Sequence, residues 1–172
     1  MTTLIAYFSR AGKNYVSGDI VDLKIGNTQV IADMLHDSIP DSDMFKISTI
    51  AAYSDNYKAC CEQAKEEKSA NNRPKLRKHV EDMSKYDTVF IGYPNWCGTA
   101  PMAVFTFLEE NDMAGKLVVP FCTHEGTGLG SSEEDIKKAC PKSKVLHGHV
   151  FFGTTVKDAL PEMAKWLSEL PL

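Results

Sequence analysis

The 172-residue chain is long enough for one domain with a substantial core, and its 43% apolar and 24% charged residues are ordinary for a globular protein. A net charge of −4, with no dense basic run beyond "RPKLRKHVED" at 73–82, argues against a protein that grips nucleic-acid phosphates. No stretch approaches the ~20 apolar residues of a membrane span. The opening "MTTLIAYF" lacks a signal peptide's basic lead, and five cysteines without zinc-ligand spacing fit reduced thiols in a cytoplasmic protein.

The first apolar run, "TLIAYF" at 3–8, is continuous rather than alternating, as a strand buried on both faces should be. A Ser-rich turn and a polar stretch follow, and then "GNT" opens a helix whose stripe is Val30, Ile31, Met34 and Leu35. "DMFKI" at 43–47 reads as an edge strand, 56–69 as a helix containing Cys60 and Cys61, and "SANNRP" as a loop. "TVFIGY" at 88–93 is a second buried strand, followed by a helix with Pro101 near its first turn and Val104, Phe107 and Leu108 on its apolar side. "KLVVPFC" at 116–122 is a third. After it, "SSEEDIKKAC" at 131–140 has a Ser cap, acids in its first turn and lysines later, which suits the helix dipole. "KVLHGHVFF" at 144–152 reads as one last strand, and Val156, Leu160, Met163, Leu167 and Leu170 form a final helical stripe. Strands alternating with helices predict a single α/β domain over 1–172, a three-layer doubly wound parallel sheet. Such sheets bind ligands outside the carboxyl ends of their strands.

Three of those strand ends carry polar, glycine-bearing loops. After the first strand, Ser9, Asn27 and Thr28 bring two hydroxyls and an amide, and Gly12 and Gly26 allow tight turns. With the free N–H groups of a helix start, they predict an anion cradle. The P-loop lysine followed by Ser/Thr is absent, so nucleoside triphosphate hydrolysis is not indicated. After the strand at 88–93, "YPNWCGTAP" holds Trp96 between Pro94 and Pro101, with Asn95, Cys97 and Gly98 beside it. A loop tryptophan there either packs beneath the loop or meets a flat ligand. After the strand at 116–122, "THEGTGLG" sets Thr123, His124 and Glu125 ahead of Gly126, Gly128 and Gly130. Its G-x-G-x-G spacing fails the dinucleotide fingerprint. His147 and His149 alternate on one strand without a partner ligand in sequence, and a structural role is expected for them.

"YFSRAG" together with "GNT" resembles the phosphate loop of the flavodoxin-like family, and "YPNWCGTAP" and "THEGTGLG" resemble its two flavin loops, in the family's order and across nearly the whole chain. The resemblance implies a five-stranded sheet in the order 2-1-3-4-5 with FMN along its carboxyl edge. It is nearest to members whose phosphate loop is split by an insertion, here "KNYVSGDIVDLKI". Lengthening a loop costs little, because closure entropy grows only logarithmically with length. The resemblance places Ser9, Asn27, Thr28 and nearby backbone on the phosphate, with Arg10 adding charge and Asn14 and Tyr15 of the insertion reaching the site. Pro94, Asn95, Trp96, Cys97 and Gly98 would line one side of the ring, and Thr123, His124, Glu125, Gly126 and Gly128 the other. Gly98 would allow the Cys97–Gly98 peptide two orientations.

Two functions fit those loops: an FMN-binding carrier moving electrons at low potential between partner proteins, and an FMN-dependent oxidoreductase passing hydride from NAD(P)H to quinone-like acceptors. A phosphoacceptor domain would need acids after the first strand, where Ser9–Arg10 stand, and a low-molecular-weight phosphatase would need Arg six residues after a Cys, which none of the five has.

Overall fold

The computed structural model describes residues 2–172. Its main sheet is parallel and runs β4 (Ser42–Lys46), β1 (Thr3–Tyr7), β5 (Thr88–Pro94), β6 (Leu117–His124), with the last position shared by β7 (Lys144–Val145) and β8 (His149–Phe152). In major strands that is the order 2-1-3-4-5.

The continuous apolar runs feed two cores at once, because successive side chains leave opposite faces of a strand. Leu4, Ala6, Val89, Ile91 and Val118 face one core, and Ile5, Tyr7, Phe90, Val119 and Phe121 the other. The first is covered by α3 (Met102–Glu110) and α4 (Ser132–Ala139) through Val104, Phe107, Leu108 and Ile136. The second is covered by α1 (Asn27–Ser38) and α5 (Leu160–Glu169) through Ile31, Leu35, Met163 and Trp166. Each such side chain, buried fully, contributes about 2 kcal/mol. Ser131, the expected cap of α4, does not cap it. Its hydroxyl donates instead to Asp135 at 2.8 Å, and its backbone N–H donates to the Gly98 carbonyl at 2.8 Å, tying this helix start to the loop after β5.

Two elements depart from expectation. The run 144–152 is two strands rather than one, and the cause lies in β6. The Val118 carbonyl accepts from Leu146 N at 2.9 Å, so alternate residues of β6, including position 120, present their backbone to this edge. Pro120 has no N–H to present. The edge chain leaves the ladder opposite it, and Gly148 lies so near that a Cβ there would come within 3.1 Å of Pro120 Cβ. The second departure is α2 (Tyr57–Ser69), which joins neither core. It buries only Cys60 and Ala64 and packs on α3 and on the inserted segment, because "YKACCEQAKEEKS" carries too few large apolar residues to cover a sheet face.

The insertion itself is an antiparallel hairpin, β2 (Gly12–Val16) with β3 (Asp19–Leu23). Its two-residue turn, Ser17–Gly18, has φ of 52° and 94°, the paired positive values of a type I′ turn. Serine is a poor occupant of that first position. Ser17→Asn is expected to slow hydrogen exchange of the hairpin amides about threefold, roughly 0.6 kcal/mol of local stability.

Candidate functional site

At the carboxyl edge of β1, β5 and β6 lies a cavity of about 450 Å³. Its first wall is the start of α1. Gly26 provides no side-chain cap, yet the helix is capped: Ser9 Oγ, from the far end of the split loop, accepts from Gln29 N at 3.1 Å. The two halves of the cradle therefore meet across the hairpin. The Asn27 and Thr28 N–H groups have no intrahelical acceptor, as at any helix start. Thr28 Oγ1 lies 2.7 Å from Thr123 Oγ1, so the cradle is fixed to β6. Two close approaches shape this end. A Cβ on Gly26 would lie 2.7 Å from the Arg10 carbonyl and closer still to Ser9 Oγ. A Cβ on Gly153 would lie 2.5 Å from Asn27 Nδ2 and closer to Glu125 Oε1. Neutral donors around a positive helix end, kept open by glycines, suit a phosphate ester.

The loops after β5 and β6 form the next two walls, and Asn95 joins them. Asn95 Nδ2 donates to the Gly128 carbonyl at 2.7 Å, its Oδ1 accepts from Gly98 N at 3.0 Å, and its own N–H reaches the Thr123 carbonyl at 2.9 Å. Trp96 lines the cavity and is also packed beneath the loop, edge-on to Phe8 and to Tyr53 with centroids 5.0 Å away in each case. Cys97 and Gly98 occupy a tight turn closed by Trp96 and Thr99, with φ of 56° and 82°. Their shared peptide is bonded at both ends, since Lys68 Nζ donates to the Cys97 carbonyl at 2.6 Å while Asn95 holds Gly98 N–H. Reversing that peptide would break both bonds, so the two-orientation freedom expected of Gly98 is opposed by its surroundings.

The fourth wall is α2 together with the hairpin. Tyr57, Cys60, Cys61, Ala64 and Lys65 present one helical face to the cavity, and Tyr15 of β2 stacks on Tyr57 with centroids 6.5 Å apart. Burial raises the Cys60 and Cys97 thiols above their ordinary pKa, opposed by Arg10 and Lys68 respectively, so both line the cavity uncharged. The Tyr57 phenol is pushed up to about 12, first by burial and then by its hydrogen bond with Cys61.

Arg10 also borders the cavity, but its guanidinium serves the wall rather than the cradle. It donates to the carbonyls of Lys13, Ser54 (2.7 Å) and Asp55 (3.2 Å), and to Asn14 Oδ1 at 3.5 Å, joining the hairpin base to the segment before α2. Asn14 in turn donates to the carbonyls of Arg10 (3.0 Å) and Gly12 (3.1 Å). Arg10→Met is expected to expose the hairpin amides to exchange about tenfold faster, the loss of one net charged hydrogen bond.

At the end of β6, His124 Nδ1 accepts from Gly126 N at 3.0 Å and Gly128 N at 2.9 Å. Its Nε2 is buried with no partner among the described residues, and so is Glu125 Oε1. Burial lowers the His124 pKa, with Glu125 acting in the opposite direction. The other carboxylate oxygen, Glu125 Oε2, accepts from Thr154 Oγ1 at 2.8 Å and from Ser17 N at the hairpin tip at 3.5 Å.

Of the residues singled out from sequence, Ser9, Arg10, Asn14, Asn27, Thr28, Pro94, Asn95, Trp96, Cys97, Thr123, His124 and Glu125 border the cavity, as does Tyr15. Gly12, Gly26, Gly98, Gly126 and Gly128 do not line it; Gly12 opens β2, and the others lie in the loops and turns next to residues that do. Missed were the α2 face, Thr127, and Gly153 after β8. His147 and His149 are elsewhere, paired with Glu133 at 2.8 Å and Glu162 at 2.9 Å. Among the described residues no group of three or more His, Cys, Asp or Glu could hold a metal ion, and no helix is long and apolar enough to cross a membrane.

Comparison with known proteins places this arrangement. No curated protein matches the chain. Among solved structures, a Bacteroides eggerthii protein provisionally assigned as a flavoprotein is 27% identical over 95% of this chain and 98% of its own, with a TM-score of 0.72. A Bacteroides uniformis protein of the same provisional assignment is 24% identical over 95% and 97%, at 0.74. A Lactobacillus acidophilus flavoprotein solved in complex with FMN is 20% identical over 96% and 98%, at 0.70, and shares the fold. The family model described as flavodoxin matches residues 2–170. With that match over nearly all of the described residues, the chain belongs to the flavodoxin family.

Proposed function

We propose that the protein binds FMN in this cavity and works as a flavin-dependent redox protein. The observation that carries the reading is the reunited cradle: Ser9 caps α1 at Gln29 N across an entire hairpin, leaving the Asn27 and Thr28 N–H groups for a phosphate. Family membership and the FMN complex of the Lactobacillus acidophilus relative support it. Bound FMN supplies one- and two-electron chemistry, and the chain's own residues determine its placement and access. Ser9, Asn27, Thr28 and the first turn of α1 hold the phosphate. Pro94–Gly98 and Thr123–Gly128, joined through Asn95, form the slot for the ring, with Trp96 on its border. The α2 face and Tyr15 border the remaining side.

That last wall favours the oxidoreductase reading over the carrier. A carrier that docks large basic partners benefits from an open, acidic rim. Here the cavity is walled by a helix and a hairpin, and Lys65, Lys68 and Arg10 stand around it. Small acceptors of quinone type, reduced at the expense of NAD(P)H, fit that enclosure better than a docked protein. The test is to load the protein with FMN, remove the excess, and add NADH or NADPH without oxygen. Bleaching of the flavin band within seconds is expected. Bleaching only by a reduced protein donor would return the function to electron carriage, and failure to retain FMN would overturn the cofactor assignment itself.

A further inference from the structure

The helix α2 owes almost nothing to either core. It buries Cys60 and Ala64, two small side chains, whereas α3 buries every residue from Met102 to Leu108. One side of α2 borders the 450 Å³ cavity through Tyr57, Cys60, Cys61, Ala64 and Lys65. Its other side, with Gln63, Glu66 and Glu67, borders a second cavity of about 310 Å³. A helix of thirteen residues is marginal in water without tertiary packing, so its place depends on the few bonds that hold it.

Those bonds are unevenly arranged. Ahead of the helix, Arg10 fixes the carbonyls of Ser54 and Asp55, just before the Asn56 cap. Ser54 N–H donates to Gln63 Oε1 at 2.9 Å, so this segment and the helix are tied to each other. Near the far end, two bonds cross to the body of the protein. The Tyr53 hydroxyl donates to Glu67 Oε2 at 2.7 Å, and the Tyr53 ring is lodged edge-on against Phe8 and Trp96. Lys68 Nζ donates to the Cys97 carbonyl at 2.6 Å, some twelve residues and about 18 Å along the axis from Asn56. Ala70–Asn72 then lead to Arg73, which is paired with Glu109 of α3 at 2.8 Å. Three residues extend to about 10 Å at most, which gives the helix end slack and also limits its travel.

We propose that α2 is a lid on the cavity, hinged at residues 54–56 and latched by Tyr53–Glu67 and Lys68–Cys97, and that the ligand enters between it and the loop after β5. The second cavity gives the helix room to tilt away from the first. For the identity of the ligand the proposal rests on the FMN reading; for the lid itself it rests on the packing. Binding then proceeds through the open form, so the association rate scales with the open population.

Tyr53→Phe is the cleanest test, because it keeps the ring against Phe8 and Trp96 and removes the hydroxyl latch at a residue that does not line the ligand cavity. Lys68→Met releases the second latch. In 15N relaxation dispersion of the ligand-free protein, the amides of 57–69 and of 97–98 are expected to share one exchange process that the strands β1, β5 and β6 lack. Each variant should raise the open population about tenfold, the loss of one charge-assisted hydrogen bond. The rate constant for FMN association, read by stopped-flow quenching of flavin fluorescence, should rise by the same factor in Tyr53→Phe. Flat dispersion profiles over 57–69 in wild type and both variants would overturn the proposal. So would an association rate constant in Tyr53→Phe equal to that of wild type, which would make α2 a fixed wall. Wild-type protein that binds no FMN would overturn the cofactor reading instead, and dispersion in the ligand-free protein would still decide the lid.

Discussion

Gly26→Ala is expected to weaken FMN binding about a hundredfold while leaving the protein folded. The φ at Gly26 is −64°, a value open to any residue, so the constraint is contact rather than backbone conformation. The added methyl would enter the gap between Ser9 Oγ and the Arg10 carbonyl, 2.7 Å from the latter. Ser9 would have to retreat, losing its bond to Gln29 N and with it the junction of the two cradle halves. Two or three phosphate donors displaced at about 1 kcal/mol each, or more where charge is involved, give the hundredfold figure. Loss of the cap costs the apoprotein about 1 kcal/mol. Titration of the purified variant with FMN, beside a urea melt, reads both quantities. Affinity equal to wild type would show that the cradle formed by the split loop does not hold the phosphate.

The second large effect is on the fold. Gly92 pairs with Phe121 across β5 and β6, and a Cβ at 92 would lie 2.8 Å from Phe121 Cε1 and closer to two other ring atoms. Phe121 is fully buried, packed in the core with Phe90, Val119 and Phe151, and has no empty space to enter. Gly92→Ala should therefore cost about 3 kcal/mol, seen as a lower urea midpoint with little change in slope. Adding Phe121→Leu removes the obstacle. The double variant should be more stable than the sum of the single losses allows, by about 1 kcal/mol or more. Simple additivity would mean that the ring is not what excludes a side chain at position 92.

Much of this molecule is legible from its residues because the physics there is local. Buried parallel strands must be apolar on both faces, so "TLIAYF" and "TVFIGY" declare themselves, and loops that end such strands with Ser, Asn, Thr and Gly declare their donors. The α2 wall is different. Tyr57, Cys60, Cys61, Ala64 and Lys65 fall at helical spacing, but periodicity says only that a face exists, not whether it meets a core or a cavity. The available signal was the helix's poverty in Leu, Ile, Val and Phe, which rules out a place on the sheet. Arg10 is illegible for another reason. Its acceptors are backbone carbonyls, including that of Ser54, 44 residues away in sequence, and carbonyls leave no mark on residue identity. Pro120 was in plain view, but which neighbour it deprives of an N–H depends on register, and register is a property of the assembled sheet.

The broken edge opposite Pro120 has a consequence for how the protein behaves when crowded. An outermost strand offers a row of unpaired backbone groups, and a long straight one can recruit a strand from another molecule. Here the outer position is divided into pieces of two and four residues, separated by a detour at 146–148. Neither piece is long enough to template an incoming chain. A proline in an interior strand thus acts at a distance of one strand, blunting the boundary of the sheet and guarding against the self-association that open parallel sheets invite.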